Sequence, residues 1–273
     1  MPDVLVMGSL HWDVVVRADR LPALDETLMG RGVAYRFGGK GGNQALAAAR
    51  AGVAVTFAGA VGDDDAGRRM LRVLDDAGIE RSAIDVRDGA SGMSVAIETA
   101  GGEYGAVVVT GANAAVAGAA MPRGCRVALI QNEVPEAANL SLAASLPADV
   151  ALVWNAAPAR GGPDALLDRA DVLVVNRVEA AQMGGIDALR RRVTVIETLG
   201  ADGCRLGDAG GVRTFPAAPV EVVSTHGAGD AFCGTLAAAL ARGASLDDAV
   251  AAGQAAAARL VSGADLAARD AVD

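Results

Sequence analysis

The chain is poor in the residues that mark several common protein classes. Its three cysteines, Cys125, Cys204 and Cys233, are odd in number, widely separated and without C-x-x-C spacing. That pattern argues against a disulfide framework or a zinc site and for a reducing compartment. No stretch approaches the ~18 uninterrupted apolar residues of a membrane span, and Asp3, with no basic region, precedes the first apolar run. The sequence reads as soluble and cytoplasmic. Positive charge is scarce as well: 24 basic residues face 33 acidic ones, and the longest basic block is Arg190-Arg191-Arg192. Neither nucleic acid nor an anionic membrane is an expected partner. Two nucleotide signatures are also missing. A G-x-G-x-x-G run from Gly227 would need glycine where Phe232 stands, and the one Gly-Lys pair, Gly39-Lys40, is followed by Gly41 where a Walker A loop needs Ser or Thr.

What is present fits one large domain. At 273 residues the chain can bury a sizeable core, as one big α/β domain with or without a small appendage. Short β-branched runs recur at 4–6, 53–57, 127–130, 151–154, 172–175 and 193–196, several apolar without alternation, as for strands buried on both faces of a parallel sheet. Helical stretches lie between them at 43–51, 66–77, 136–146 and 163–169, with two more at 231–241 and 247–261. The alternation predicts a three-layer α/β/α sandwich with a mostly parallel sheet. Residues 25–37, and 94–99 followed by 104–110, break it with strand and hairpin material. These are expected to build a small β lid, over about 10–37 and 94–110, on a single domain spanning 1–273.

The strongest functional signal is Ser224-Thr225-His226-Gly227-Ala228-Gly229-Asp230, which opens directly onto the apolar helix starting at Ala231. A Gly-Ala-Gly turn at a helix start leaves backbone N–H groups free to face an anion, and the Asp230 carboxylate beside it could take a proton. An Asp after a Gly-rich turn is equally a good helix cap with no chemistry. The second signal is Lys40, the only lysine of the chain, within Phe37-Gly38-Gly39-Lys40-Gly41-Gly42-Asn43-Gln44. A compact ammonium on a glycine hinge can reach a phosphate or a substrate. A phosphate seat next to a base implies phosphoryl transfer to a hydroxyl, which needs positioning and charge stabilisation more than covalent chemistry.

On these two motifs, in their order and separation, the chain resembles the PfkB family of carbohydrate kinases nearly end to end, and within it the ribokinases most. Further similar segments are Gly111 to Ala114, Gln131-Asn132-Glu133, Asn155 to Arg160 and Thr198 to Gly203. The resemblance implies a ribokinase-like fold and an ATP-dependent kinase acting on a primary hydroxyl of a pentose, best ribose. A nucleoside or a hexose is the alternative acceptor, and a non-catalytic sugar or nucleotide sensor ranks below both. By the same resemblance Asp230 is the base, and Gly227, Ala228 and Gly229 form the anion hole. His11, Asp13, Gly39, Lys40, Asn43 and Glu133 fall at sugar-binding positions. Asn176 and Glu179 form the N-x-x-E motif that organises Mg2+ and water. Thr198, Gly200 and Gly203, with Asn176, line the nucleotide. Lids paired into homodimers are implied too.

The departures are equally specific. His11 stands where ribokinases usually carry Asn, with Trp12 beside it, and the pair could reshape the sugar pocket or stack on a base. Ser224 stands where potassium-activated relatives carry Asp, which removes the only formal charge of such a site and leaves K+ activation open. The helix after Asn176 reads as trimmed to 186–192, and the segment after Gly263 as abbreviated.

Overall fold

A computed structural model describes residues 3–99 and 104–264. The expectation of an abbreviated C-terminal segment falls outside the described residues. The main sheet has nine strands: β1 (Val4–Met7), β4 (Val55–Gly62), β5 (Glu80–Arg87), β8 (Val127–Gln131), β9 (Ala151–Asn155), β10 (Val172–Asn176), β11 (Thr194–Thr198), β12 (Cys204–Asp208) and β13 (Gly211–Phe215). Their spatial order is β13-β12-β11-β10-β9-β8-β1-β4-β5. All neighbours from β5 to β11 pair parallel, and β12 and β13 close one edge as an antiparallel hairpin. Because strand residues alternate sides, Val4 and Val6 join one core layer while Leu5 and Met7 join the other. Helices α1 (Lys40–Arg50), α2 (Asp65–Asp76), α7 (Ala228–Ala241) and α8 (Leu246–Val261) supply the first layer, and α3 (Glu136–Ser145), α4 (Asp164–Arg169), α5 (Arg177–Gln182) and α6 (Ile186–Leu189) the second.

A separate four-stranded sheet, in the order β3-β2-β6-β7, is built from β2 (His11–Ala18), β3 (Gly32–Gly38), β6 (Met93–Thr99) and β7 (Tyr104–Val109). It springs from the carboxyl edge of the main sheet, since β2 follows the end of β1 after three residues and β3 runs into α1. Asn113, fully buried, clamps that junction by accepting from the Leu10 amide and donating to the Leu10 carbonyl, both at 2.9 Å.

Three expectations are corrected by the structure. Strand β5 has no counterpart in the sequence reading, because it is an edge strand whose charged residues Glu80, Arg81, Asp85 and Arg87 hide any apolar period. Helix α1 begins at Lys40 and not at Asn43, through glycines of low helix propensity. The helix after Asn176 is not trimmed to 186–192: it starts at once as α5, under a capping box in which Asn176 and Glu179 exchange side-chain and backbone hydrogen bonds, and α6 is a separate single turn.

Candidate active site

In an open α/β sheet, ligands bind outside the carboxyl ends of the strands where the strand order reverses. Here the reversal lies at β1, between β8 and β4. The residues that follow β1 and β8, and the last residues of β9, β10 and β11, are Ser9, Glu133, Asn155, Asn176 and Thr198. The start of α7 brings Asp230 to the same edge.

Asp230 is the third residue of α7 and 7% exposed. It does not cap its helix. Gly227 occupies the N-cap in the left-handed region, φ 77°, which glycine adopts without a Cβ penalty, and no side chain closes the turn. The carboxylate turns instead to α1: Oδ1 accepts from Gln44 Nε2 at 3.0 Å, and Oδ2 from Asn43 Nδ2 at 3.2 Å. The cap reading is thereby displaced. Of the proposed anion-seat residues, Ala228 donates its amide to the Thr225 carbonyl at 3.3 Å. The amides of Gly229 and Asp230 lie in the first helical turn, where a helix has no acceptor of its own.

The α1–α7 contact depends on one glycine. A Cβ at Gly234 would lie 2.2 Å from the Gln44 carbonyl oxygen and 2.7 Å from the Ala47 Cβ. Only a bare backbone lets the helices approach closely enough for Gln44 to reach Asp230.

Charge is concentrated around this point. Burial raises the pKa of Asp230, against the opposing pull of Lys40 and the hydrogen bond from Gln44. Burial works against the charged form of Lys40, yet Asp230, Glu133 and Glu179 outweigh it and hold the ammonium above the ordinary lysine value. Burial likewise raises Glu179, opposed by the Asn176 amide and Lys40. Such coupling of a desolvated carboxylate with a buried cation is characteristic of catalytic sites.

On the side of Ser9 and the start of α1, Glu133 Oε2 accepts from the Ser9 hydroxyl at 2.5 Å and from the Lys40 amide at 2.8 Å. Asp13, on the small sheet, accepts through Oδ1 from the Ser94 amide at 2.9 Å and its hydroxyl at 2.6 Å. His11 begins β2 opposite Gly38 and is buried, while Gly39 is the N-cap of α1. Trp12 lies in the main core, 6% exposed, with the Arg69 guanidinium 5.9 Å from its ring centroid. It offers no stacking surface for a base.

On the other side, Asn176 Oδ1 accepts from the amides of Val178 and Glu179, and Glu179 Oε2 accepts from the Asn176 amide at 2.7 Å. The Thr198 hydroxyl donates to the Val175 carbonyl at 3.3 Å. Gly200 and Gly203, both with positive φ, shape the turn from β11 to β12. Ser224 accepts from the His226 amide at 3.3 Å and donates its own amide to Val261.

Among the described residues no three His, Cys, Asp or Glu side chains converge as a metal cage. Glu179 keeps one carboxylate oxygen uncommitted by its capping bond. That donor set suits Mg2+ held mainly by phosphates and water, with one carboxylate nearby.

The sequence reading passed over Ser9, Gln44, Ser94, Gln131 and Asn155 as functional residues. Gln44 follows Asn43 directly within the lysine motif, and Gln131 and Asn155 open two of the similar segments, which were the available signals. Ser94 is brought to Asp13 by strand pairing across 81 residues, which no local pattern reveals.

The chain matches the family described as pfkB family carbohydrate kinase over residues 1–268. It is 32% identical over 268 residues to the ribokinase of Bacillus subtilis, covering 92% of this chain and 89% of that one. It is also 32% identical over 276 residues to the ribokinase of Haemophilus influenzae, covering 93% and 90%. The solved structure of Arabidopsis thaliana ribokinase complexed with ribose and ATP is similar at a TM-score of 0.86 and 26% identity, covering 95% of this chain and 92% of that one. Among the described residues no helix is long and apolar enough to cross a membrane.

Proposed function

The chain belongs to the pfkB family of carbohydrate kinases, and on that premise we propose that it transfers the γ-phosphoryl group of ATP to a primary hydroxyl of a pentose, ribose first. The observation that carries the reading is the Asp230 carboxylate, desolvated, turned off its own helix and facing Lys40 at the carboxyl edge of the sheet. Ribokinases as the similar curated relatives support the pentose, and the core position of Trp12 gives a nucleoside base nothing to stack on.

In this reading Asp230 removes the hydroxyl proton as the acceptor oxygen attacks the γ-phosphorus and ADP departs. Hydrogen bonds from Asn43 and Gln44 hold the base in place. The Gly227–Gly229 turn, chiefly through the Gly229 amide with that of Asp230 behind it, receives the charge developing on the phosphoryl oxygens. Lys40 stands between the base and the phosphates. Asp13, Gly39, Asn43 and Glu133 hold the sugar hydroxyls, with His11 narrowing the pocket. Ser9 and the Lys40 amide leave Glu133 one oxygen for that task. Asn176, Thr198, Gly200 and Gly203 line the nucleotide. Glu179 with Asn176 would hold Mg2+ through water, the ion supplying charge neutralisation of the phosphates when bound. Ser224 offers no carboxylate to K+, so potassium dependence is decided by the assay with and without the ion.

The small sheet acts as a lid over the sugar. Its outer face carries Val33, Tyr35, Val95 and Val107, the last three in one cross-strand row and Val33 two residues along, at 56%, 57%, 42% and 68% exposure. A contiguous apolar face of this kind is covered by a second copy of the chain, giving a homodimer through the lids. An ADP-release assay with MgATP across ribose, fructose, adenosine and pseudouridine, with and without potassium, tests the assignment. Ribose is expected to give the highest kcat/KM, and preference for a nucleoside would overturn the pentose reading.

A further inference from the structure

Gln44, fully buried on α1, is the centre of a chain of side-chain amides that ends on the Asp230 carboxylate. Its Nε2 donates to Asp230 Oδ1 and to Asn155 Oδ1, each at 3.0 Å, and its Oε1 accepts from Gln131 Nε2 at 2.7 Å. Asn155 is anchored in turn by donating to the Val174 carbonyl at 3.1 Å, and the Gln131 carbonyl accepts from Asn139 at 2.8 Å. Helix α1 and strands β8, β9 and β10 therefore all brace one side chain.

The chain has a direction, and its far end reveals what sets it. Gln131 Oε1 is buried with no hydrogen-bond partner. Its neighbour there is the bare backbone of Gly8, where a Cβ would lie 2.0 Å from that oxygen. An unpaired buried acceptor is costly, so something must forbid the reversed orientation. An ionised carboxylate only accepts. Gln44 must then present its NH2 to Asp230, its oxygen must face Gln131, and Gln131 must present its own NH2. Reversal would set Gln44 Oε1 against the carboxylate. The orientation is dictated from the Asp230 end.

We propose that Gln44 is a positioning residue for the phosphoryl-transfer base, held by Gln131 and Asn155 so that Asp230 stays a proton acceptor with Oδ2 turned to Asn43 and the incoming hydroxyl. The proposal rests on Asp230 being that base. The charged and titratable groups around Asp230 are Lys40 from α1, Glu133 beyond β8 and Cys233 one turn along α7, with Glu179 of α5 facing Lys40 and Cys233. They remain in place when Gln44 is changed.

The test is the pH profile of kcat/KM for ribose with MgATP. Gln44→Met keeps the length of the side chain and removes the donor. Its acid limb is expected to move up by about one pH unit, with KM values within about twofold of wild type. Gln131→Met frees Gln44 to rotate and moves the limb the same way by less. Gln44→Glu sets a second carboxyl beside Asp230 and moves it further. Folded Gln44→Met and Gln131→Met enzymes whose acid limbs coincide with wild type would overturn the proposal. If Gln44→Met does not fold, Gln131→Met and Gln44→Glu decide it by the same criterion. Asp230→Asn separates the two levels. Near-normal turnover there removes the base assignment and the proposal with it, whereas an inactive Asp230→Asn beside an unshifted Gln44→Met removes only the positioning role.

Discussion

A buried carboxylate that must remove a proton works only when ionised, and burial makes ionisation harder. For Asp230 the consequence is an acid limb in kcat/KM above the ordinary aspartate range, since activity is lost as pH falls through the raised value. Asp230→Asn should lower kcat by on the order of 10²–10⁴ while calorimetry finds sugar affinity nearly intact, because the amide keeps the shape and loses the base. The sign for stability is opposite. The folded state holds this proton more tightly than the unfolded chain does, so the contribution is full below the unfolded pKa and fades as pH rises through the folded one. Thermal melts of wild type and Asp230→Asn across pH 4–8 should therefore converge at the acid end and diverge towards neutrality. Lys40 was conspicuous in the sequence as the only lysine, and Asp230 as the acid beside a Gly-Ala-Gly turn. Gln44 was not, because its importance lies in which atoms it meets across 186 residues.

Single elements meet at fixed distances, and small side chains set those distances. Gly234→Ala would push α1 from α7 where no space exists, with an expected cost of about 1–3 kcal/mol in denaturant unfolding. It should also lower kcat, because Gln44 and Asn43 retreat from Asp230 with their helix. Asn176→Ala removes the cap of α5, and a loss of about 1 kcal/mol is expected in the same unfolding experiment. That substitution should also raise KM for ATP with little effect on KM for the sugar. The helices were legible from apolar spacing and glycine stops, apart from α5 and the start of α1. Strand β5 was not, because an edge strand carrying charge shows no core-facing run.

For the molecule as a whole, the reversal of strand order at β1 places the candidate site at the carboxyl edge of the main sheet, where the small sheet joins it. Chelation of divalent cations should abolish turnover while leaving the melting temperature of the substrate-free protein nearly unchanged, since no cage of protein carboxylates exists among the described residues. Val107→Glu on the outer face of the lid should shift sedimentation from dimer to monomer. A wild-type monomer at micromolar concentration would remove the dimer reading.

The sequence alone determined the layered α/β architecture and the two glycine-rich motifs, because both are written in local order: apolar runs for buried strands, bare backbone before a helix for an anion seat. It could not determine that Asp230 leaves its helix uncapped, that Ser94 completes Asp13, or that Trp12 belongs to the core. Those outcomes depend on which distant segments the two sheets and the α1–α7 contact bring within reach, and a partner as far away as the 81 residues between Asp13 and Ser94 leaves no trace in local pattern.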